Sequence, residues 1–144
     1  MRTVVETADS ERSARARDLT WTILRIIVGL AFMTHGLPKR FGWLGGFGGP
    51  GEAAELMSRW GIAGVLETFG GMLIVLGLFT RPVAFILAGE MAVAYFWIHV
   101  PRGGPWWWEN GGELAMLFCF TYLFFAAWGG GPFSADAWIA KRRE

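Results

Sequence analysis

Four stretches of this chain, Leu19–Leu37, Gly61–Phe79, Pro82–Val100 and Gly111–Trp128, are apolar enough to cross a bilayer. Each approaches the roughly 20 residues that a spanning helix needs. Backbone in hydrocarbon must pair its own N–H and C=O groups, and a helix does so within one segment. The stretches occupy most of the 144 residues and leave no room for a second domain. The expected fold is therefore all-α: a polytopic membrane protein built as an antiparallel bundle of four transmembrane helices. Residues 1–18 are expected as a loose, cytoplasmic Arg-rich arm, 19–129 as the bundle and 130–144 as a cytoplasmic interfacial tail. Charged residues make up 17% of the chain, against roughly a quarter in soluble domains.

Leu19–Leu37 is long for a signal peptide, has no small-x-small cleavage site and precedes further spans, so it reads as a retained first helix. Cys119 is the single cysteine, which excludes an intramolecular disulfide or a CxxC redox pair and leaves it as a small apolar residue of the fourth span. A net charge of +1 gives no nucleic-acid footprint. The basic residues are unevenly placed. Arg2, Arg12, Arg15, Arg17, Arg81, Lys141, Arg142 and Arg143 fall on one side, and Lys39, Arg40, Arg59 and Arg102 on the other. The positive-inside rule then puts both termini in the cytoplasm.

The first connection, Pro38–Trp60, contains Gly45-Gly46-Phe47-Gly48-Gly49-Pro50-Gly51, which cannot stay helical. It lacks the Lys-Ser/Thr ending of a phosphate loop. A short surface helix is expected from Glu52 to Trp60. Arg81-Pro82 marks a tight hairpin, with Arg81 as a positive cap on the second helix. Trp106-Trp107-Trp108 reads as an interfacial aromatic belt, or as a stacking surface for a quinone or lipid. Gly129-Gly130-Gly131-Pro132 stops the fourth helix, and Ser134–Lys141 is expected as a short amphipathic surface helix.

Ionisable groups inside such segments are costly unless paired, wetted or protonated, so they mark either sites or structural networks. Antiparallel connectivity sets their depth. His35 and Lys39 end the first helix, and Glu67 lies about 10 Å into the second from the same side. His99 ends the third helix, and Asn110 and Glu113 open the fourth. These six residues gather at the outer end as a ligand-binding or structural polar cluster. Arg25 and Arg81 lie toward the inner end and Glu90 near the midplane. Arg25 either snorkels or pairs with a carboxylate, Glu113 suits a cap of the fourth helix, and Glu90 needs protonation or a partner on another helix. No metal site is assigned: His35 and His99 lack groups to orient their rings, and no Glu-x-x-His pair occurs. No catalytic residue is assigned.

Taken in order, several elements form a pattern: Leu24-Arg25-x-x-x-Gly29-Leu30, His35-Gly36-x-x-Lys39, Glu67-x-x-Gly70-Gly71, Gly77-Leu78-x-Thr80-Arg81, Ala94-Tyr95-Phe96-x-x-His99, Asn110-Gly111-Gly112-Glu113 and Ser134-x-Asp136. The pattern resembles the DoxX family of small bacterial membrane proteins over about residues 20–138. The Arg-rich arm and Gly46–Gly51 depart from it. The resemblance implies a four-helix inner-membrane protein associated with respiratory or redox systems, with relatives tied to quinone-reducing sulfur oxidation and oxidative-stress complexes. Fold-level likeness does not assign a reaction.

Two functions follow as expectations. One is a redox-associated subunit that binds a quinone-like molecule at the outer polar cluster, where His35, Lys39 and His99 donate hydrogen bonds and Glu67 or Glu113 exchanges protons. Without a cysteine pair or flavin motif the chain needs a partner to carry electrons. The other is a non-catalytic accessory or assembly subunit of a larger membrane complex or homo-oligomer, its glycine-lined helices packing on partner helices and lipids. Transport of a small solute or proton is a third reading, disfavoured because four helices seldom enclose a path alone.

Overall fold

The computed structural model describes residues 2–143, with side chains from Ser10 onward. Met1, Glu144 and the side chain of Arg2 lie outside the described residues. Regular structure among the described residues is entirely helical. It comprises α1 (Arg2–Phe41), α2 (Arg59–Leu76), α3 (Thr80–Gly103), α4 (Glu113–Trp128) and α5 (Ala135–Lys141), with one further helical turn at Trp107–Asn110.

The chain is helical from Arg2 rather than a loose arm, because no glycine or proline interrupts it before Gly29. α1 also runs past Pro38, which removes one backbone donor, and stops where Gly42 turns left-handed (φ 70°) and its N–H bonds Pro38 O. That extra turn puts Lys39 on the helix. The expected surface helix from Glu52 does not form. α2 starts at Arg59 because Ser58 Oγ accepts the Gly61 N–H at 3.1 Å and caps it there. The α2–α3 hairpin is Gly77–Phe79, and Gly77 (φ 67°) closes α2, so Arg81 sits exposed in the first turn of α3 rather than capping α2.

Ser10–Phe41, Arg59–Leu76 and Thr80–Gly103 are long and apolar enough to cross a membrane. The fourth expected span is shorter. Asn110 Oδ1 accepts the Gly112 N–H at 2.7 Å, Gly111 is left-handed, and α4 begins only at Glu113. Its 16 residues extend about 24 Å, against a hydrocarbon core of about 30 Å.

α1 packs antiparallel along α2, and α3 along α4. The α1–α2 crossing depends on small residues. A methyl on Gly36 would lie 2.5 Å from Thr68 N and Oγ1, and one on Gly29 would lie 2.8 Å from Gly71 O. Close backbone approach of this kind supplies packing where lipid offers helices no hydrophobic drive. The buried centre joins the pairs through Phe32, whose ring meets Phe118 and Tyr122 edge-on at 5.0 Å each, with Ile74, Leu87 and Phe125 around it. Outward faces are apolar: Phe85 and Trp97 are exposed, as are Ile23 and Ile27.

Candidate functional site

The end of the bundle carrying the glycine-rich connection holds a buried ion pair. Lys39 Nζ, in the last turn of α1, donates to Glu67 Oε1 at 2.5 Å and to Oε2 at 2.7 Å, and the two side chains are 16% and 5% exposed. Glu67 lies in a π-helical turn of α2, Leu66–Gly70, whose wider winding buries Glu67 and Thr68 in succession. Such turns inside helices are frequent at functional sites. The Trp60 ring lies 5.8 Å from Lys39 Nζ and packs against Phe47, while Ala54 N–H bonds Lys39 O at 2.8 Å. The connection is thus fastened over the pair.

Two cavities share this pair as a wall. One, of about 350 Å³, opens between α2 and α3, with Ile62, Leu66, Ile86, Val93 and Trp97 among its apolar lining and Lys39, Arg59, Glu67 and Glu90 as charged lining. Ile62, Ile86, Val93 and Trp97 are exposed, so the mouth lies on the apolar outer surface. Both carboxyl oxygens of Glu90 are buried and have no hydrogen-bond partner among the described residues. The other cavity, of about 290 Å³, lies between α1, α3 and α4 and adds His35, His99 and Arg102 to Lys39 and Glu67.

Of the six residues of the outer cluster, His35, Lys39, Glu67 and His99 line this second cavity together. His35 is exposed and stands edge-on to Phe118 at 6.0 Å. His99 ends a second π-helical turn, Tyr95–His99, and its Nδ1 lies 3.3 Å from Asn110 O. Asn110 acts as a brace. It is buried, its Oδ1 accepts Gly112 N–H, and its Nδ2 donates to Gly104 O at 2.8 Å and Tyr95 Oη at 3.4 Å, while Tyr95 Oη donates to Pro105 O at 2.7 Å. Glu113 is exposed in the first turn of α4, beside Trp107 and Trp108. Sequence reasoning left Glu90 apart from the cluster, yet it lines the same cleft as the ion pair. Trp60 and Tyr122, whose buried Oη has no partner among the described residues, carried no signal that would separate them from other core aromatics.

The opposite end is held by a second polar assembly. Arg25, 1% exposed, donates through Nη1 to Ile74 O (2.6 Å) and Val75 O (2.5 Å) and through Nη2 to Phe133 O (2.8 Å). It does not snorkel and makes no ion pair among the described residues; it closes the carbonyl end of α2 and ties the tail to it. Asp136 accepts the Phe79 and Thr80 N–H groups at 2.8 Å each, capping α3 from a remote segment, and its own N–H bonds Gly77 O. Ser134 Oγ caps α5 by accepting the Ala137 N–H at 3.2 Å.

The chain matches the DoxX family over residues 20–100. It is also similar to an uncharacterized protein of Haemophilus influenzae, 42% identical over 125 residues that cover 83% of this chain and 90% of the relative. No solved structure matches. The matched segment contains Arg25 of the tail-end assembly and Lys39, Glu67 and Glu90 of the other, while Asp136 lies beyond it. With three helices apolar enough to span a bilayer, the chain belongs to the DoxX family of membrane proteins.

Proposed function

We propose that this protein binds a lipid-dissolved, quinone-like ring molecule in the cleft between α2 and α3, and that it serves a respiratory or redox complex of the bacterial inner membrane. The observation that carries this reading is the cleft's composition. Its mouth is largely apolar and lies on the outer surface, and its polar lining is the Lys39–Glu67 ion pair, Arg59 and Glu90. Ligand sites combine these features: an apolar enclosure and a few convergent polar groups. A ring with polar oxygens and an apolar tail fits both halves. Lys39 spends two N–H groups on Glu67 and keeps one for a ligand oxygen. His35 and His99, across the ion pair in the second cavity, face the end where water would enter.

A chain with a single cysteine carries no thiol couple, so electrons would come from a partner subunit, and the apolar outer faces offer α-helical surfaces for one. Both termini are placed in the cytoplasm by the arginine and lysine distribution. The test is mild-detergent purification from native membranes, followed by solvent extraction and chromatography of the bound lipids. Near-stoichiometric quinone, with redox subunits co-eluting, supports the proposal. Partner subunits with no quinone would favour the alternative of a non-catalytic assembly subunit. A protein free of both would contradict either role.

A further inference from the structure

We propose that the second cavity, between α1, α3 and α4, is a separate binding site for a small monocarboxylate with an apolar body, held by Arg102. The cavity measures about 290 Å³, at the small end of the roughly 300–1,000 Å³ typical of ligand pockets. Its floor is apolar: Phe32, Met91, Ala115 and Phe118 are buried, with the Phe32 and Phe118 rings edge-on at 5.0 Å. Its charged lining is Lys39, Glu67 and Arg102, with His35 and His99 beside them. Lys39 and Glu67 neutralise each other, so the permanent charge left uncancelled is the Arg102 guanidinium. Among the described residues Arg102 makes no hydrogen bond or ion pair, and neither does His35.

Arg102 is exposed, yet the backbone that carries it is fixed. It follows His99 by three residues, which puts the two on one side of α3, and both line the cavity. The next residue, Gly103, packs so closely on the Asn110 brace that a methyl there would lie 2.9 Å from Asn110 Cα, and Asn110 Nδ2 donates to Gly104 O at 2.8 Å. The brace thus sets where the end of α3 presents its cation. A guanidinium fork matches a carboxylate bidentately, and such charge-assisted bonds are the strong ones. An inorganic oxyanion would pair Arg102 and leave the aromatic floor uncovered. An uncharged analogue would cover the floor and leave the cation without a counter-charge. A carboxylate on a small apolar body meets both, and a single uncancelled charge suits a monoanion. This site is independent of the α2–α3 cleft, with which it shares only a wall.

The test is equilibrium dialysis of radiolabelled benzoate against the full chain in a neutral maltoside detergent, with unlabelled benzamide, sulfate and a short-chain alkyl benzoquinone as competitors. Saturable benzoate binding is expected, with benzamide and sulfate each weaker by about tenfold or more, the effect of one charge-assisted hydrogen bond or of an uncovered apolar floor. Arg102→Gln should weaken benzoate by about tenfold or more, and Arg102→Lys, which keeps the charge and loses the fork, should fall between it and the wild type. Arg40→Gln removes a charge at the same end of the bundle but outside the cavity, and should leave benzoate affinity unchanged. Elution profile and melting temperature serve as folding controls. No saturable binding, or binding that Arg102→Gln leaves intact, would overturn the site. Sulfate competing as well as benzoate would overturn the carboxylate class, and equal losses in the Arg40 and Arg102 variants would reduce the effect to general surface charge. Displacement by the quinone would place benzoate in the α2–α3 cleft and overturn the separate site while leaving that cleft a ligand site.

Discussion

Lys39 and Glu67 sit 28 residues apart on neighbouring antiparallel helices, yet Lys39 Nζ reaches both carboxylate oxygens, at 2.5 and 2.7 Å. Two buried charges at such contact hold α1 and α2 in one register. Removing either partner strands the other in a low-dielectric interior, which costs about 3–5 kcal/mol, whereas replacing both by apolar groups is often neutral. Lys39→Met and Glu67→Leu are therefore expected to lower melting temperature and abundance singly, and the double variant to recover most of the loss. Thermal unfolding in detergent measures this cycle. Additive losses would show that the two residues act independently.

The tail-end assembly makes a sharper demand on geometry. Arg25 serves carbonyls on two separate segments through its planar fork, and a lysine ammonium cannot reach both directions from one point. Arg25→Lys should lose at least one charged hydrogen bond, about 1.5–3 kcal/mol, and Asp136→Ala should lose the cap of α3, about 0.5–2 kcal/mol. Limited proteolysis is the readout, with faster cleavage after Lys141 or Arg142 expected in both variants. Unchanged cleavage would mean the tail is held elsewhere.

Glycine substitutions separate packing from helix propensity. Gly36→Ala would push a methyl to 2.5 Å from Thr68 N, a backbone atom that cannot yield without moving α2. A loss of about 1–3 kcal/mol is expected, as in other overpacked sites. Gly89→Ala meets nothing within 4 Å and should gain up to about 1 kcal/mol from helix propensity. Melting curves of the two variants should move in opposite directions.

Depth was legible in the sequence; azimuth was not. Apolar run lengths and antiparallel order put His35, Lys39, Glu67 and His99 at one end, and these four do line one cavity. Which way each pointed could not be read, because helices apolar on all sides carry no amphipathic signal to orient them. Hence Glu113, equally deep by count, is exposed, and Glu90, a midplane residue, lines the cleft beside the ion pair. The π-helical turn at Leu66–Gly70 was also hidden, since an inserted residue shifts the face by packing alone. The tail showed the reverse: Asp136 stood in the family pattern, but nothing local in Ser134–Lys141 pointed to Thr80 as its partner.

The proposed membrane orientation rests on charge. The arginines around α1's start, Arg81 and the basic end of α5 fall on one side. A reporter fused to the C-terminus should behave as cytoplasmic, and removing Arg12, Arg15, Arg17 and Arg81 together should yield a mixed population. An exported reporter on the wild-type chain would reverse the assignment.

Photolabelling with a lipid-soluble azido-quinone in native membranes, followed by peptide mapping, tests the ligand cleft most directly. The predicted label falls on α2 and α3 at Ile62, Leu66, Ile86, Val93 or Trp97, and is competed by unmodified quinone or hydroquinone. Label confined to α4 or α5, or label that no competitor displaces, would contradict a ligand site over the Lys39–Glu67 pair.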